Sequence, residues 1–248
     1  MLPALCRAHQ RLKPALPRWC ASAASSPVTT ERTEGTRHGD PTWSCLSPEN
    51  ERRCRGVLEA PTNRYRASKA TAAVLVPLCT VAGEPAFLYT LRSTELRGKH
   101  KGDVSFPGGK CDPSDRDLVH TALREAHEEL GVQVKEATVW GVMKPFTALG
   151  GMVVVPVVAN IGPLESLSLT PNSNEVEDVF TLSIPQLCSE RNQGYTHFRM
   201  QGRYAYTVPV FFGGTHKVWG LTAVLTDLAL KLLVPNAYRS RLSGPQKP

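Results

Sequence analysis

The sequence predicts a domain of the α+β class. Short apolar runs bounded by Gly or Pro indicate strands, and segments with apolar residues at helical spacing indicate helices placed irregularly between them. Hydrophobic residues make up 41% of the 248 residues, which is ordinary for a globular protein and sufficient for one sizeable core. No apolar run approaches the length of a membrane-spanning helix, so we expect no membrane partner.

Seven strands are predicted from apolar or alternating runs that end at turn residues. They lie at residues 72–79, 86–91, 104–106, 138–145, 152–159, 175–180 and 204–212. A Gly-Glu-Pro turn joins the first two, which are expected to form a hairpin. The polar segment 162–174 contains Pro and Asn and is expected to be a loop.

Four helices are predicted, at residues 45–60, 116–130, 184–190 and 221–233. The first begins with Ser-Pro, which suits an N-cap followed by the first helical position. Turn and N-cap residues at 112–115 precede the second helix, with Pro113 suited to its first turn and Gly131 to its C-cap. The last helix has an apolar residue every three or four positions, as expected of a helix that closes a core.

Residues 1–42 are expected to form a targeting segment and a disordered lead-in. The first 30 residues contain Arg7, Arg11, Lys13 and Arg18 but no acidic residue. A basic, Ser-containing and acid-free segment is typical of a mitochondrial transit peptide, so we expect location in the mitochondrial matrix. A disordered basic tail is the alternative. Because these four residues carry more than half of the net charge of +7, the charge does not favour a nucleic-acid partner.

The seven cysteines show no metal-binding spacing. They form no Cys-x-x-Cys pair, and their number is odd. Free thiols in a reducing compartment are the simplest interpretation.

The second predicted helix carries a cluster of carboxylates. Glu125, Glu128 and Glu129 are spaced i, i+3, i+4, so they point toward one spot. The neighbouring apolar arc, which can pack on a sheet, consists of Val119, Ala122, Leu123, Ala126 and Leu130. Like charges repel at this spacing, and the end of the helix is the negative end of its dipole. Mg²⁺ or Mn²⁺ would remove both penalties, so we predict a metal site; a solvated acidic face is the alternative.

Two features precede this helix in the chain. Gly108 and Gly109 follow a short strand and let the backbone approach a ligand closely. Before that strand comes a loop dense in cations, whose members are Arg92, Arg97, Lys99, His100 and Lys101. Because the loop leads directly to the glycines, it is expected to lie near the acids and to hold phosphate groups. An ordinary basic surface loop is the alternative.

Residues 124–132 resemble the second half of the Nudix hydrolase signature, Arg-Glu-apolar-x-Glu-Glu-x-Gly-apolar, at every position. The first half departs from that signature, because the interval from Gly109 to Arg124 is one residue longer and the usual loop glutamate is absent, with Asp115 nearest. The resemblance implies a Nudix fold, with a mixed β-sheet sandwiched between helices in three layers (α/β/α). The resemblance spans roughly residues 70–235. Together with the first predicted helix, this span leads us to place the hydrolase domain at residues 43–236 and to expect 237–248 to form a polar tail. The resemblance also implies that Arg124 orients the acids by a salt bridge.

The stretch before the helix resembles the coenzyme A diphosphatase branch of that family. The matching residues are Leu88, Arg92, Ser93, Arg97, His100, Gly102, Val104, Phe106, Pro107, Gly108, Gly109, Asp112, Pro113, Ser114 and Asp115. This resemblance implies metal-dependent hydrolysis of coenzyme A and acyl-coenzyme A to 3′,5′-ADP and (acyl-)4′-phosphopantetheine. It also implies a mitochondrial member of the branch and a small-molecule partner. Both a monomer and a homodimer remain open.

The resemblance assigns roles to the predicted site residues. Glu125, Glu128 and Glu129 would bind the metal, and Glu128 is the first candidate to assist the attacking water. Gly108 and Gly109 would shape the pocket, and one of the loop cations would hold the adenosine 3′-phosphate.

Three questions stay open at this point. In related enzymes an acid beyond the signature can help to bind metal or water. Glu175 and Glu177 are candidates here, although an ordinary surface position is the favoured interpretation of both. A Nudix hydrolase acting on NADH, an ADP-sugar or capped RNA is one alternative function. A catalytically silent nucleotide-binding module is another, but it would not need so costly an acidic cluster.

Overall fold

Residues 42–96, 100–148, 151–200 and 203–243 are described by the structure, a computed structural model. The side chains of residues 199, 200, 203–205 and 243 are not among those described. The chain divides into two units, and all described residues belong to the second, residues 32–248. Arg97, Lys99 and nearly all of the expected targeting segment lie outside the described residues.

Four α-helices occur in the described part of the chain. They are α1 (Pro48–Tyr65), α2 (Leu118–Leu130), α3 (Ile184–Cys188) and α4 (Gly220–Leu233). The predicted start of α1 is confirmed, because Ser47 is its N-cap and accepts a hydrogen bond from the Asn50 N–H. Among these helices, none combines the length and the apolar character needed to cross a membrane.

Ten strands were found in the described residues. They are β1 (Ala72–Val81), β2 (Glu84–Arg92), β3 (Val104–Ser105), β4 (Gly108–Lys110), β5 (Val139–Val142), β6 (Phe146–Thr147), β7 (Val153–Pro163), β8 (Val176–Ser183), β9 (Gln193–Met200) and β10 (Arg203–Phe211). Eight of them form one sheet, and β9 and β10 form a separate antiparallel pair. The expected hairpin of β1 and β2 is confirmed.

The large sheet is mixed. Its centre is β1, which runs parallel to β7 and antiparallel to β2. The far side of β2 pairs with β8, and the end of β2 pairs with β3. The glycine segment forms the short strand β4, which pairs with the beginning of β1. This pairing holds the two glycines at the level where α2 crosses the sheet.

Helices cover both faces of the sheet, as expected for three layers. On one face, α2 buries Val119, Ala122 and Ala126 against Ala73 and Leu75 of β1. On the other face, residues of α1 and α4 share a second core with the aromatic side chains of β2. The predicted α+β class with a mixed sheet between helices is therefore confirmed.

The start of α2 differs from the prediction. Asp117 is the N-cap and accepts a hydrogen bond from the His120 N–H at 2.8 Å. Asp112 instead accepts a hydrogen bond from the Ser114 N–H at 2.8 Å, within a turn that precedes the helix. Pro113 therefore lies in this turn and outside the first turn of α2. The prediction of Gly131 as the C-cap is confirmed.

Two features of the C-terminal half were not predicted. Strand β9 was not predicted, because its sequence is mainly polar and aromatic and its only described strand partner is β10. A polar tail was expected from residue 237, but Tyr238 is buried and its hydroxyl donates to Asp227 of α4 at 2.7 Å. Ser240 is also buried, so the packed part of the chain continues beyond the expected boundary.

Candidate active site

The apolar face of α2 places its acidic face beside the glycine strand. Because Ala122 and Ala126 pack on the sheet, the neighbouring face of the helix lies against β4. Glu125, Glu128 and Glu129 occupy that face, within the last two turns of the helix. These three glutamates sit in different surroundings.

Glu129 is the buried member of the cluster, with 3% of its surface exposed. Its Oε1 lies 3.8 Å from Nη1 of Arg92, and the Gly108 N–H donates a hydrogen bond to the carboxylate. Its Oε2 has no hydrogen-bond partner within the described residues, although it is fully buried. The pKa of Glu129 is raised to about 8, mainly by burial. The positive charge of Arg92 lowers this pKa, and repulsion by Glu125 and Glu175 raises it.

Glu125 is partly buried over the second glycine. A Cβ atom on Gly109 would overlap the Glu125 carboxylate, so only glycine leaves room for this acid at β4. Burial raises the pKa of Glu125, the nearby Arg124 guanidinium opposes the rise, and repulsion by Glu128 and Glu175 adds to it. The two carboxylates nearest the glycines therefore both carry an electrostatic cost in the absence of a cation.

Arg124 binds several groups around this cluster. Its Nε and Nη2 donate to the two carboxylate oxygens of Asp115, at 2.9 and 3.1 Å. Its Nη1 donates to Oε2 of Glu128 at 2.9 Å, and its Nη2 lies 3.0 Å from Oε1 of Glu125. Its Nη2 also donates to the Lys110 carbonyl of β4 at 3.0 Å. The expected salt bridges of Arg124 to the acids are therefore present.

Asp115 anchors Arg124 from the loop before α2. Only 3% of its side chain is exposed. Its carboxylate also accepts from Thr121 Oγ1 at 2.8 Å and lies 2.9 Å from Nδ1 of His120. The hydrogen bond from Arg124 holds the pKa of Asp115 well below its usual range. Asp115 therefore binds Arg124, and through this arginine the loop before α2 orients the acidic face of the helix.

Glu175 and Glu177 differ in their surroundings. The Glu175 charge raises the pKa of both Glu125 and Glu129, so this acid lies close to the cluster. Its carbonyl accepts from the Ser93 N–H at 2.8 Å, which ties it to the end of β2. Glu177 instead accepts from the Thr94 N–H at 3.3 Å. Of these two acids, Glu175 is thus the one whose charge acts on Glu125 and Glu129, and a role for either acid at a metal site stays a prediction.

The cationic loop is only partly gathered at the site. Arg92 lies beside Glu129, as the 3.8 Å contact shows. His100 is 76% exposed in its side chain, with Nδ1 3.0 Å from Oδ2 of Asp103, and Lys101 is exposed. Arg97 and Lys99 lie outside the described residues. The expectation that this loop holds phosphate stays a prediction.

The donor set fits a hard divalent cation. Carboxylate oxygens are the ligands that Mg²⁺ and Mn²⁺ prefer, and the buried Oε2 of Glu129 lacks any other partner among the described residues. Across the residues that the structure describes, no three His, Cys, Asp or Glu side chains are preassembled as a metal site. Glu128 is half exposed and bound to Arg124. The set of Glu125, Glu128 and Glu129 as metal ligands therefore stays a prediction.

Comparisons with known proteins show the family of this chain. The family model described as NUDIX domain matches residues 69–200. The human protein named mitochondrial coenzyme A diphosphatase NUDT8 is 59% identical over 200 residues, which cover 81% of this chain and 85% of that protein. The mouse protein of the same name is 56% identical over 203 residues, covering 82% and 97%. Nudix hydrolase 3 of Caenorhabditis elegans is 38% identical over 186 residues, covering 68% and 75%. The chain belongs to the Nudix hydrolase family.

Proposed function

We propose that this protein is a divalent-metal-dependent diphosphatase. Its substrates are coenzyme A and acyl-coenzyme A, which it cleaves to 3′,5′-ADP and (acyl-)4′-phosphopantetheine. The observation that carries the proposal is the buried Oε2 of Glu129, which has no partner in the described part of the chain and lies near Glu125 and Arg92. The names of the human and mouse relatives support this choice of substrate.

Mg²⁺ or Mn²⁺ held by Glu125 and Glu129, with Glu128 as the third predicted ligand, would supply positive charge that neutralises the diphosphate oxygens. The chain itself supplies three further groups. Arg92 offers a guanidinium beside Glu129, where it can bind a diphosphate oxygen. The Gly108 N–H fixes the Glu129 carboxylate, and Gly109 leaves room for Glu125.

Two carboxylates are candidates to accept the proton of the attacking water. Glu128 is half exposed, and one of its carboxylate oxygens accepts a hydrogen bond from Arg124 at 2.9 Å. Glu175 is the second candidate, because its charge acts on both Glu125 and Glu129. Arg124 positions Glu128 and Glu125 through contacts of 2.9 and 3.0 Å, and Asp115 positions Arg124.

The position of Arg92 separates it from the other cations of the loop. Because it contacts Glu129, we assign Arg92 to the diphosphate end of the substrate. The adenosine 3′-phosphate is then left to Arg97, Lys99, His100 or Lys101. His100 and Lys101 are exposed and thus free to meet a ligand that approaches from solvent.

We further propose that the protein works in the mitochondrial matrix. The names of two relatives place those proteins in mitochondria, and the first 30 residues of this chain are basic and acid-free. To test this location, residues 1–42 are fused to a fluorescent protein. Import of the fusion into mitochondria would support the proposal, and a fusion protein that stays in the cytosol would contradict it.

A substrate panel tests the proposed activity. Coenzyme A, dephospho-coenzyme A, an acyl-coenzyme A, NADH and ADP-ribose are compared by kcat/KM with Mg²⁺ and with Mn²⁺. We expect 3′,5′-ADP to be released from coenzyme A, and a lower kcat/KM for dephospho-coenzyme A because it lacks the 3′-phosphate. Faster hydrolysis of NADH or ADP-ribose than of coenzyme A would contradict the proposal.

A further inference from the structure

Four aromatic rings form a continuous column from the core to the surface. The Phe106 and Tyr89 rings are stacked at 4.9 Å, and Tyr89 and Phe180 are stacked at 5.4 Å. His216 lies tilted against Phe180 at 5.0 Å. The first three residues are buried, whereas 29% of the His216 side chain is exposed. The column therefore ends in a ring that solvent can reach.

His216 is held in place from more than one side. Its Nε2 donates to Oδ2 of Asp178 on β8 at 2.9 Å. Its segment is closed by the pairing of Phe211 with Val218. A Cβ atom on Gly214 would overlap Leu182 of β8, so this segment lies close against the strand. The imidazole is thus a fixed ring, as a stacking surface requires.

The ring lies at the same end of the sheet as the acidic cluster. Asp178 stands opposite Leu91 in the pairing of β2 with β8, and the next residue of β2 is Arg92. Leu91 packs into the core shared with α1 and α4, whereas Arg92 contacts Glu129 on the side of α2. His216, through Asp178, and Glu129, through Arg92, therefore approach neighbouring positions of β2 from opposite faces of the sheet, at a shift in the register between β2 and β8. A ligand that reaches both would cross this end of the sheet.

We propose that His216 forms the binding site for the nucleobase of the substrate. A planar base can continue the ring column by stacking on the exposed imidazole, and its diphosphate can then extend toward Arg92 and the acids. This inference rests on the proposed function for the identity of the base, which is adenine in coenzyme A. None of the site residues predicted from the sequence was assigned to the nucleobase.

Two ligands that differ only in the base test this proposal. AMP and ribose 5-phosphate are titrated, with Mg²⁺ present, into the wild-type protein and into His216→Ala and His216→Phe variants. His197→Ala is the matched control, because His197 is an exposed histidine of β9 whose Nδ1 lies 2.7 Å from Oγ1 of Thr207. Unfolding midpoints of all four proteins show whether each variant is folded.

His216→Ala is expected to weaken AMP binding at least about fivefold and to leave ribose 5-phosphate binding unchanged. The phenyl ring of His216→Phe should restore most of the AMP affinity, and His197→Ala should bind both ligands as the wild type does. Equal weakening of both ligands, an unchanged AMP affinity in His216→Ala, or a wild type that binds both ligands equally would overturn the proposal. Failure of the wild type to hydrolyse coenzyme A would count against the proposed function alone, since this binding comparison does not involve hydrolysis.

Discussion

Arg124 of α2 binds both carboxylate oxygens of Asp115, three residues before the start of the helix at Leu118, with N···O distances of 2.9 and 3.1 Å. The same guanidinium reaches Glu128 and Glu125, at 2.9 and 3.0 Å. The buried Asp115 carboxylate therefore fixes the arginine that orients two acids of the candidate site. The longer interval between Gly109 and Arg124 supplies the loop in which this anchor lies.

Replacement of Asp115 by Ala should impair both stability and activity. The change leaves Arg124 without its main partner, so we expect a loss of about 2 kcal/mol in the free energy of unfolding. The kcat should fall because Glu125 and Glu128 lose their fixed neighbour. Urea unfolding and initial rates measure the two effects. The control is Asp112→Ala, because Asp112 is an exposed acid of the same loop. An Asp115→Ala variant with the kcat of the wild type would contradict the positioning argument.

Replacement of Gly109 by Ala should disturb the acidic cluster more than the fold. The added Cβ atom would overlap the Glu125 carboxylate, which has to move away from β4. We expect at least about a tenfold loss of kcat/KM, because the displaced acid can no longer hold its place in the cluster. Gly56→Ala is a matched control, since Gly56 is an exposed residue within α1 with open space around it. This control should keep full activity and gain up to about 1 kcal/mol of stability. Equal activity of the two variants would show that the glycine is not needed for this acid.

The two acids near the start of β8 should differ in their effect on catalysis. Glu175→Gln removes a charge that acts on Glu125 and Glu129, and we expect kcat to fall at least about tenfold. Glu177→Gln is the control, because Glu177 accepts from the loop backbone at Thr94. Steady-state rates with saturating Mg²⁺ measure the difference. A larger loss in Glu177→Gln than in Glu175→Gln would reverse the assignment.

The buried carboxyl of Glu129 should make the metal-free protein less stable as pH rises. Its pKa is about 8 in the folded protein and returns to its ordinary value near 4.5 in the unfolded chain. Between these values the folded state binds more protons than the unfolded state, so the free energy of unfolding falls as pH rises. Glu129→Gln does not titrate, and in chelator it should become more stable than the wild type toward pH 8, on the order of 2–4 kcal/mol.

Urea unfolding in chelator at about pH 5 and about pH 8 measures this difference. Added Mg²⁺ should stabilise the wild type at the higher pH more than it stabilises the variant, because binding to the folded state adds to its stability. Parallel pH dependence of the two proteins without metal would show that Glu129 does not carry a raised pKa.

The local parts of this structure were predictable from the sequence. The face of α2, its three acids and its C-cap at Gly131 follow from spacing within a single helix. The hairpin of β1 and β2 also depends on neighbouring residues and one turn. The acidic face of the candidate site could therefore be placed on its helix before any contact was known.

The remaining parts depend on contacts between distant residues. Glu175 lies beside the end of β2 because the start of β8 pairs there, and no local pattern shows that pairing. His216 and Asp178 meet across 38 positions of the chain. Asp115 was recognised only as the acid nearest to a missing glutamate, since its bond to Arg124 requires the folded loop. The signal for Glu175 in the sequence was its position beyond the signature, where an acid can help to bind metal or water in related enzymes, and Glu177 shared that signal.

The central claim is that Glu129 and its neighbours hold a divalent cation that is needed for cleavage of the diphosphate. The most direct test measures coenzyme A hydrolysis and Mn²⁺ binding by the wild type and by Glu129→Gln. We predict that chelator stops the wild type, and that the folded variant binds Mn²⁺ more weakly and turns over at least about a hundredfold more slowly. A variant with the Mn²⁺ affinity and the turnover of the wild type would contradict the claim.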